Sequence, residues 1–328
     1  MKIVVCDDID GAFQRSGELG RLDQNALTIY NAVAEARAVL IERLRDAQVA
    51  VAIRDRTVFD RETLNALPEL RLIAVTAGPH RIDVKAATEL GIVVAMTPAV
   101  SFASIAEYVF GLIIALARGI VPADLALRQR HWEPVPGWEL EGKTLGILGL
   151  GRTGSAVAKC APAFGLRVIA WGPTLTPERA GASGGKMVSQ EELFRTADIL
   201  SVHLRRSETS HRFVDATRLA LMKPSALLID ISWAGIVDRE ALAASLHSGR
   251  LAGAALDLCD DGPVDMNDPI LEAPRTVLTP HVAWRTAESY QRFARAVVDN
   301  VLAFIKGNPV NVLNVDALKN QRRSHNAL

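Results

Sequence analysis

Three glycines with fixed spacing give the clearest chemical signal in this chain. Gly149, Gly151 and Gly154 follow a short apolar run, residues 145–148, which predicts a buried strand, and a helical pattern begins near residue 155. In such a setting the first glycine permits a tight turn, the second lets the backbone approach a pyrophosphate, and the third lets helix and strand pack closely. The free N–H groups at the start of the helix would bind the phosphates. The pattern predicts a dinucleotide-binding loop; an ordinary turn with chance glycines is the alternative.

His281 is the clearest candidate for proton transfer. It stands in the run Thr279-Pro280-His281, directly after the predicted strand 277–279. Side chains that follow the strands of a parallel sheet gather at its carboxyl edge, where ligands bind. The unperturbed pKa of an imidazole lies close to neutral pH, which suits an acid–base role. We interpret His281 as a catalytic group that also borders the cofactor; a purely structural histidine is the alternative.

The predicted strand 168–171 does not end in the acidic residue that usually binds the adenosine ribose of NAD. Gly172 takes that place, so nothing there would repel a 2′-phosphate, and Arg179, Arg205 and Arg206 could attract one. We therefore expect NADP rather than NAD, and solvated surface arginines are the alternative. The remaining predicted cofactor contacts are Arg152, Thr153, Thr174, His203, Ser232 and Asp257. The last two are the expected nicotinamide contacts, because each lies at the end of a strand.

The elements that must position these residues alternate between strands and helices. Short apolar runs predict strands at 3–5, 49–53, 72–75, 92–94, 145–148, 168–171, 199–203, 227–231, 253–257 and 277–279. Helical patterns cover 24–46, 61–67, 84–90 and 287–306. This βαβα rhythm predicts parallel sheets covered by helices on both faces, and the six later strands predict a doubly wound sheet.

The run Ser104-Ile105-Ala106-Glu107 has the pattern of a capping box and predicts a helix that extends to about Arg118. Its apolar side chains point in nearly every direction, so the helix must be buried all round. Burial between two domains and burial in a subunit interface both fit this pattern. The run 309–315 is expected to return to the first domain. We therefore predict one discontinuous domain at 1–102 and 286–318, a second at 103–285, and a C-terminal tail at 319–328.

Composition argues against several classes of partner. The 328 residues contain 37 basic and 37 acidic side chains, a balance that disfavours nucleic acid or a membrane surface as partner. The longest apolar stretch, 108–117, is too short to span a bilayer, and the N-terminus lacks the pattern of a signal peptide. Three scattered cysteines fit a reducing compartment. We expect a cytoplasmic protein with a small-molecule substrate and no metal site.

Several segments resemble the D-isomer-specific 2-hydroxyacid dehydrogenases. The similar segments are 142–152, 221–224, 236–238, 253–257 and 278–281, and their spacing extends the resemblance over nearly the whole chain. The segment 170–179 is similar to a branch that lacks the ribose-binding acid. The resemblance implies a Rossmann-type doubly wound cofactor domain, a smaller flavodoxin-like α/β substrate (lid) domain that closes over it, and a homodimer. It also implies reversible hydride transfer between a nicotinamide and the carbonyl carbon of a 2-oxoacid.

Two catalytic positions of that family are not retained. In the family an arginine binds the substrate carboxylate, a histidine protonates the carbonyl oxygen, and a glutamate pairs with that histidine. His281 matches the histidine, but Trp233 stands at the arginine position and Gly262 at the glutamate position. An indole has one N–H donor and no charge, and losing a buried charge pair typically costs about 2–5 kcal/mol. Without the glutamate, the protonated form of His281 should be less favoured. Relocated partners are an alternative: Arg54, His80, Arg81, Arg285, Asp260 or Asp261.

The resemblance also implies substrate contacts outside the cofactor domain. Thr76, Ala77, Gly78 and Pro79 look like the family's substrate loop, whose backbone N–H groups bind the acid, and a simple βα connection is the alternative. Trp138 and Trp284 either line the cleft or only pack in the core.

Three functions stay open at this point. The first is a nicotinamide-dependent reductase for a 2-oxoacid or for an atypical carbonyl compound on which Trp233 would stack. The second is a catalytically impaired NAD(P)-binding sensor or partner protein. The third is a transient oxidation followed by elimination, without net change of the cofactor. Fold analogy alone does not choose among them, and we favour the oxidoreductase.

Overall fold

Two compact units divide the chain. The computed structural model describes residues 1–54, 56–76, 78–98, 100–259 and 264–320. The first unit contains Met1–Val100 and the chain from Thr286 onward, and the second contains Ser101–Arg285. The predicted C-terminal tail lies outside the described residues from position 321 onward.

The described residues form twelve strands and twelve α-helices. The strands are β1 (Ile3–Val5), β2 (Leu27–Ile29), β3 (Val49–Ala52), β4 (Leu72–Val75), β5 (Val93–Met96), β6 (Thr144–Leu148), β7 (Arg167–Trp171), β8 (Lys186–Met187), β9 (Ile199–Val202), β10 (Leu227–Asp230), β11 (Gly253–Asp257) and β12 (Thr276–Thr279). The helices are α1 (Ala12–Arg15), α2 (Arg37–Leu44), α3 (Arg61–Asn65), α4 (Val84–Glu89), α5 (Phe102–Ala117), α6 (Ile120–Arg128), α7 (Arg152–Cys160), α8 (Pro177–Ala182), α9 (Gln190–Thr196), α10 (Ala216–Leu221), α11 (Arg239–His247) and α12 (Ala287–Ile305). Short 3₁₀ turns cover Glu18–Arg21, Ala161–Phe164, Glu208–Ser210 and Pro269–Glu272.

The first unit is built on a five-stranded parallel sheet in the order β2-β1-β3-β4-β5. This is the flavodoxin-like order, which confirms the predicted fold of this part. Strands β1, β3 and β4 are buried along their whole length, as expected of strands covered by helices on both faces. The chain after α12 returns to this sheet, because Val312 pairs with Ala95 and the Asn314 side chain bonds to the backbone of Ile92 and Val94.

One prediction in this unit is wrong. Residues 24–46 do not form a single helix, because β2 occupies Leu27–Ile29 and α2 begins only at Arg37. Leu27 pairs with Ile3 at the edge of the sheet. The backbone hydrogen bonds that β1 offers along its open edge therefore outweigh the helical periodicity of this short segment.

The second unit is a seven-stranded parallel sheet in the order β12-β11-β10-β9-β6-β7-β8. The chain starts at β6 and extends outward in both directions, so the topological switch point lies between β6 and β9, where ligands bind in doubly wound folds. All six predicted strands are confirmed, and the two-residue strand β8 is an addition. Apolar clusters cover both faces of this sheet, one around Ile147 and Val157 and the other around Leu193 and Leu200.

The predicted capping box at Ser104 is also wrong. Helix α5 begins at Phe102, and Ser104 is buried inside its first turns. The helix packs on α7 and on β10, β11 and β12, which buries its apolar side chains within the second unit. Gly119 then adopts a left-handed conformation (φ 58°), and α6 leaves at 62° to α5. Among the described residues no single helix is long and apolar enough to cross a bilayer, although this bent pair passes that test jointly by length and composition.

Candidate functional site

The glycine loop has the geometry that a bound pyrophosphate needs. Gly149 has a φ of 99°, and a Cβ there would lie 2.8–2.9 Å from backbone atoms of His203 and Leu204. A Cβ at Gly154 would lie 2.4 Å from the carbonyl oxygen of Gly149, so this residue lets α7 approach β6. At Gly151 a Cβ would meet nothing within 4 Å among the described residues. The space beside Gly151, at the start of α7, is therefore open where the helix offers its free N–H groups. This arrangement fits a dinucleotide phosphate.

Arg179 lies across the place where a ribose-binding acid would stand. Its guanidinium donates to the carbonyl oxygens of Thr174 (2.7 Å) and Leu150 (3.3 Å). Leu150 belongs to the glycine loop, and Thr174 follows Gly172 by two residues, so a cation bridges the loop and the end of β7. The residue Gly172 itself is buried but has no neighbour closer than 3.7 Å to its missing Cβ. Arg152, Arg205 and Arg206 are exposed, and Thr153 is half-buried.

His203 lies on the other side of the glycine loop, just beyond β9. Its Nε2 pairs with the hydroxyl of Ser201 at 2.8 Å, and its buried Nδ1 has no hydrogen-bond partner among the described residues. Burial of the imidazole lowers the pKa of His203 to about 3. The ring is therefore neutral at physiological pH and cannot supply a positive charge to a phosphate.

Two carboxylates end the neighbouring strands β10 and β11. Asp230 accepts hydrogen bonds from the backbone N–H and the hydroxyl of Ser232. Burial raises the pKa of Asp230, while these hydrogen bonds oppose the shift. The hydroxyl of Ser232, a predicted nicotinamide contact, is thus already donated within its own turn.

Asp257 holds the turn that carries His281. One carboxylate oxygen accepts from the hydroxyl of Thr279 (2.7 Å) and from the backbone N–H of Val282 (2.8 Å), and the other accepts from Ala283 (2.9 Å). The side chain is only 3% exposed. His281, between these anchors, has a φ of 54°, an uncommon conformation for a residue with a side chain. The bonds to Asp257 hold this strained turn in place, as strained residues at functional sites require.

A thiol, which the sequence did not single out, lies against the candidate catalytic histidine. The Sγ atom of Cys259 is 3.3 Å from Nε2 of His281. Cys259 is buried (6% exposed) and lies two residues beyond Asp257. Its place directly after a strand was the signal available in the sequence, but the contact spans 22 residues and depends on how two loops fold.

Two indoles flank the same histidine. The rings of Trp233 and His281 are 6.3 Å apart and meet edge to face, and Trp284 lies 6.4 Å from His281 in a similar arrangement. The guanidinium of Arg285 lies 5.6 Å from the ring of Trp284, so this arginine contacts an aromatic face beside His281. Trp138 instead packs on the core around α5 and carries Lys143 over its ring.

The predicted substrate loop belongs to the first unit. Thr76 is buried, donates its backbone N–H to Ala52 and accepts from the backbone N–H of Arg54 through its hydroxyl. A Cβ at Gly78 would lie 2.3 Å from Nε2 of His80, whose ring covers that residue. Pro79 accepts a backbone hydrogen bond from Ile82. The backbone N–H of Thr76 is therefore already donated within the first unit.

Four residues named from the sequence lie outside the described ranges: Ala77, Asp260, Asp261 and Gly262. Within those ranges, no group of three or more His, Cys, Asp or Glu side chains is arranged to hold a metal ion.

A doubly wound sheet with a dinucleotide loop at its switch point, and a histidine at the same edge, is the arrangement expected of a nicotinamide-dependent oxidoreductase. The family model for the NAD binding domain of D-isomer specific 2-hydroxyacid dehydrogenases matches residues 110–283. A glyoxylate reductase from Thermococcus litoralis is 37% identical over 296 residues, which cover 87% of this chain and 89% of that protein. A D-3-phosphoglycerate dehydrogenase from Archaeoglobus fulgidus is 31% identical over 323 residues, covering 97% of this chain and 60% of that protein.

A solved structure extends the likeness to the whole fold. The acyclic imino acid reductase in complex with NADPH and D-Arg is 27% identical, has a TM-score of 0.79, and matches 95% of this chain and 100% of its own. The chain belongs to the D-isomer specific 2-hydroxyacid dehydrogenase family, which confirms the resemblance found in its sequence. Members of this family are nicotinamide-dependent oxidoreductases that act on CH–OH groups.

Proposed function

We propose that this protein is an NADP-preferring reductase of 2-oxoacids or of related carbonyl compounds. The observation that carries the proposal is that the glycine loop and the His281 turn lie at the same edge of the second sheet. The open backbone around Gly151 follows β6, and the His281 turn, anchored by Asp257, follows β12. Because all strands of this sheet are parallel, both lie at its carboxyl edge. A hydride donor and a proton donor would thus act from one side of the sheet.

The roles of the chain's own groups follow from this placement. The glycine loop and the start of α7 would hold the pyrophosphate, and Ser232 and Asp257 would border the nicotinamide. A nicotinamide cofactor held by these residues would supply the hydride that reduces the carbonyl carbon. His281 then gives a proton to the carbonyl oxygen, so the carbonyl becomes an alcohol and the imidazole becomes neutral.

The preference for NADP rests on charge. No acidic side chain follows β7 directly, and Arg179 presents a guanidinium bound to Thr174 and Leu150. A guanidinium recognises a phosphate through charge-assisted hydrogen bonds, whereas a ribose hydroxyl gains much less from it. The imino acid reductase with NADPH bound is a precedent at the level of the fold. Arg205 and Arg206 are exposed cations beyond β9, and they could add to the positive charge that attracts a 2′-phosphate.

The substrate is expected to differ from that of family members that use the arginine. Trp233 is half-buried and offers an apolar ring beside His281, whereas Trp284 is only 4% exposed. An indole at this place favours an aromatic or otherwise apolar group next to the carbonyl. The first unit, predicted as the substrate domain over residues 1–102 and 286–318, would contribute the loop from Thr76 to Pro79. The alternative of a catalytically impaired NAD(P)-binding sensor or partner protein is not favoured, because the matching relatives carry the names of enzymes.

A homodimer in the cytoplasm completes the proposal. Helix α6 and the chain after it expose several apolar side chains: Ile120, Val121, Leu125, Leu127, Trp132 and Val135. Several exposed apolar side chains within 16 consecutive residues are typical of an interface between subunits. The three scattered cysteines favour a reducing compartment. Sedimentation of the wild type should give twice the chain mass, and a Leu125→Asp, Leu127→Asp variant should sediment as a monomer; a monomeric wild type would refute the dimer.

The test is oxidation of NADPH, then of NADH, by the full chain with glyoxylate, hydroxypyruvate, pyruvate and phenylpyruvate. We expect turnover with at least one, fastest with the aromatic oxoacid, and loss of turnover in His281→Gln but not in His247→Gln, an exposed histidine on α11. Arg179→Ala should raise the KM for NADPH about tenfold and leave that for NADH unchanged. Arg195→Ala, which removes an exposed arginine of α9, is the matched control. Absence of turnover with every substrate at high enzyme concentration would overturn the proposal.

A further inference from the structure

The proposed reaction gives no role to Cys259, although its thiol contacts His281. A distance of 3.3 Å between Sγ and Nε2 is a hydrogen bond for the large sulfur atom. A thiol is a weak donor and a weak acceptor, and it carries no charge unless it loses its proton. Cys259 therefore orients the ring without the electrostatic effect that a carboxylate would have.

Backbone hydrogen bonds fix the thiol in this position. The carbonyl oxygen of Cys259 accepts from the backbone N–H of Ala234, next to Trp233, and the N–H of Leu258 is donated to Thr279. Asp257, two residues earlier, binds the turn on the far side of His281. The cysteine and the histidine are thus tied to the same three strand ends, so their contact does not depend on a freely rotating loop.

The charged and titratable groups around the pair come from several elements. Asp257 faces the turn from β11, and Tyr108 of α5 bonds to Thr279, with its pKa raised mainly by burial. The guanidinium of Arg285 lies 5.6 Å from the ring centre of Trp284, which is itself in contact with His281. Asp257 thus already has two backbone N–H groups and a hydroxyl as partners, and the thiol makes a direct contact with the ring.

We propose that Cys259 is a positioning residue of His281, which orients the ring through the contact between its Sγ atom and Nε2. The inference rests on the proposed function, in which protonated His281 serves carbonyl reduction. The neutral thiol orients the ring but adds no charge that would favour its protonated form. A carboxylate placed at position 259 would favour the protonated ring, so the decline of reduction at high pH should move to higher pH.

The first experiment compares the pH dependence of kcat and KM for wild type, Cys259→Ser, Cys259→Ala and Cys259→Asp. Losing one hydrogen bond should lower kcat of Cys259→Ala about three- to tenfold, with the KM for NADPH unchanged. Cys259→Ser keeps a donor and should lose less. Cys259→Asp should shift the high-pH decline upward by about one pH unit. Cys160→Ala, which removes a half-buried cysteine at the end of α7, should behave as wild type.

A second readout needs no turnover. The seven histidines can be labelled for NMR, and the His281 signal is identified by its loss in His281→Gln. In Cys259→Asp its titration midpoint should rise, and in Cys259→Ala the ring signal should broaden or shift, whereas Cys160→Ala should change neither. If these shifts occur in a protein without turnover, the positioning role holds and the reductase proposal fails. If the pH profile and the His281 titration are both unchanged in Cys259→Ser, Cys259→Ala and Cys259→Asp, the positioning role is refuted.

Discussion

Replacing Asp257 tests the central structural claim, namely that one buried carboxylate builds the turn around His281. It accepts three hydrogen bonds, at 2.7 Å from Thr279, 2.8 Å from Val282 and 2.9 Å from Ala283. A hydrogen bond to a charged group contributes about 1.5–3 kcal/mol, and bonds that share one acceptor add incompletely. Asp257→Ala also leaves two backbone N–H groups without this acceptor. We therefore expect the variant to lower the free energy of unfolding by about 3–5 kcal/mol.

The chain offers a selective probe for this measurement. All five tryptophans lie between residues 132 and 284, so tryptophan fluorescence in a urea titration follows the unfolding of the second unit alone. Asp257→Asn keeps one carbonyl oxygen as acceptor and should lose only about 1–2 kcal/mol. Glu191→Ala is the matched control, because its exposed ion pair with Arg195 on α9 should contribute less than about 1 kcal/mol.

The reasoning fails if the free energy of unfolding of Asp257→Ala lies within about 1 kcal/mol of the wild-type value. The loss of three buried hydrogen bonds to one carboxylate should cost more than that. In that case the turn would be held by packing, and the carboxylate would be available to the nicotinamide instead. Titration calorimetry with NADPH separates the two cases, since a variant of normal stability with weakened binding indicates a ligand contact.

Three further predictions concern the loop, the substrate and an acidic cap. Gly154→Ala should lower the stability of the second unit by about 1–3 kcal/mol through overpacking, whereas Gly151→Ala should leave urea unfolding unchanged and weaken NADPH binding. Trp233→Arg should raise kcat/KM for glyoxylate at least about tenfold and not for a carbonyl compound that lacks a carboxylate. Asp60, the N-cap of α3, has a pKa lowered to about 2, chiefly by the backbone hydrogen bond from Thr63. Asp60→Ala should therefore cost about 1 kcal/mol in calorimetry at neutral pH, and the difference from wild type should vanish as pH falls from about 4 to about 2.

The sequence predicts the parts of this fold that have strong local signals. The buried strands of both sheets are short apolar runs, and the glycine loop combines a strand, a turn and a helix within ten or so residues. Strands β2 and β8 carry weak signals because they lie at sheet edges and are only two or three residues long. Their formation depends on the neighbouring strand that offers hydrogen bonds, and local propensity does not report it.

The contact between Cys259 and His281 illustrates the same limit at the level of side chains. His281 could be singled out from its position after a strand, but its contact with Cys259 could not, because the two residues are 22 positions apart. A contact across two loops depends on where each backbone turns. The bond from Ala234 to Cys259 and the bonds from Val282 and Ala283 to Asp257 set those turns, and none of them leaves a periodic pattern in the sequence.

The register of β10, β11 and β12 explains how the carboxyl edge of the second sheet can keep its backbone arrangement while side chains at that edge change. Asp257 pairs with Thr279 across β11 and β12, and Asp230 pairs with Leu256 across β10 and β11. The three strand ends are therefore held side by side by backbone hydrogen bonds that are independent of the residues beyond them. Because Asp257 binds the next turn through backbone N–H groups, the backbone at His281 is held independently of the side chain at position 233, where Trp233 stands in place of the family's arginine. This substitution would then change which substrate is bound, while the strand ends that present the glycine loop and His281 keep their arrangement.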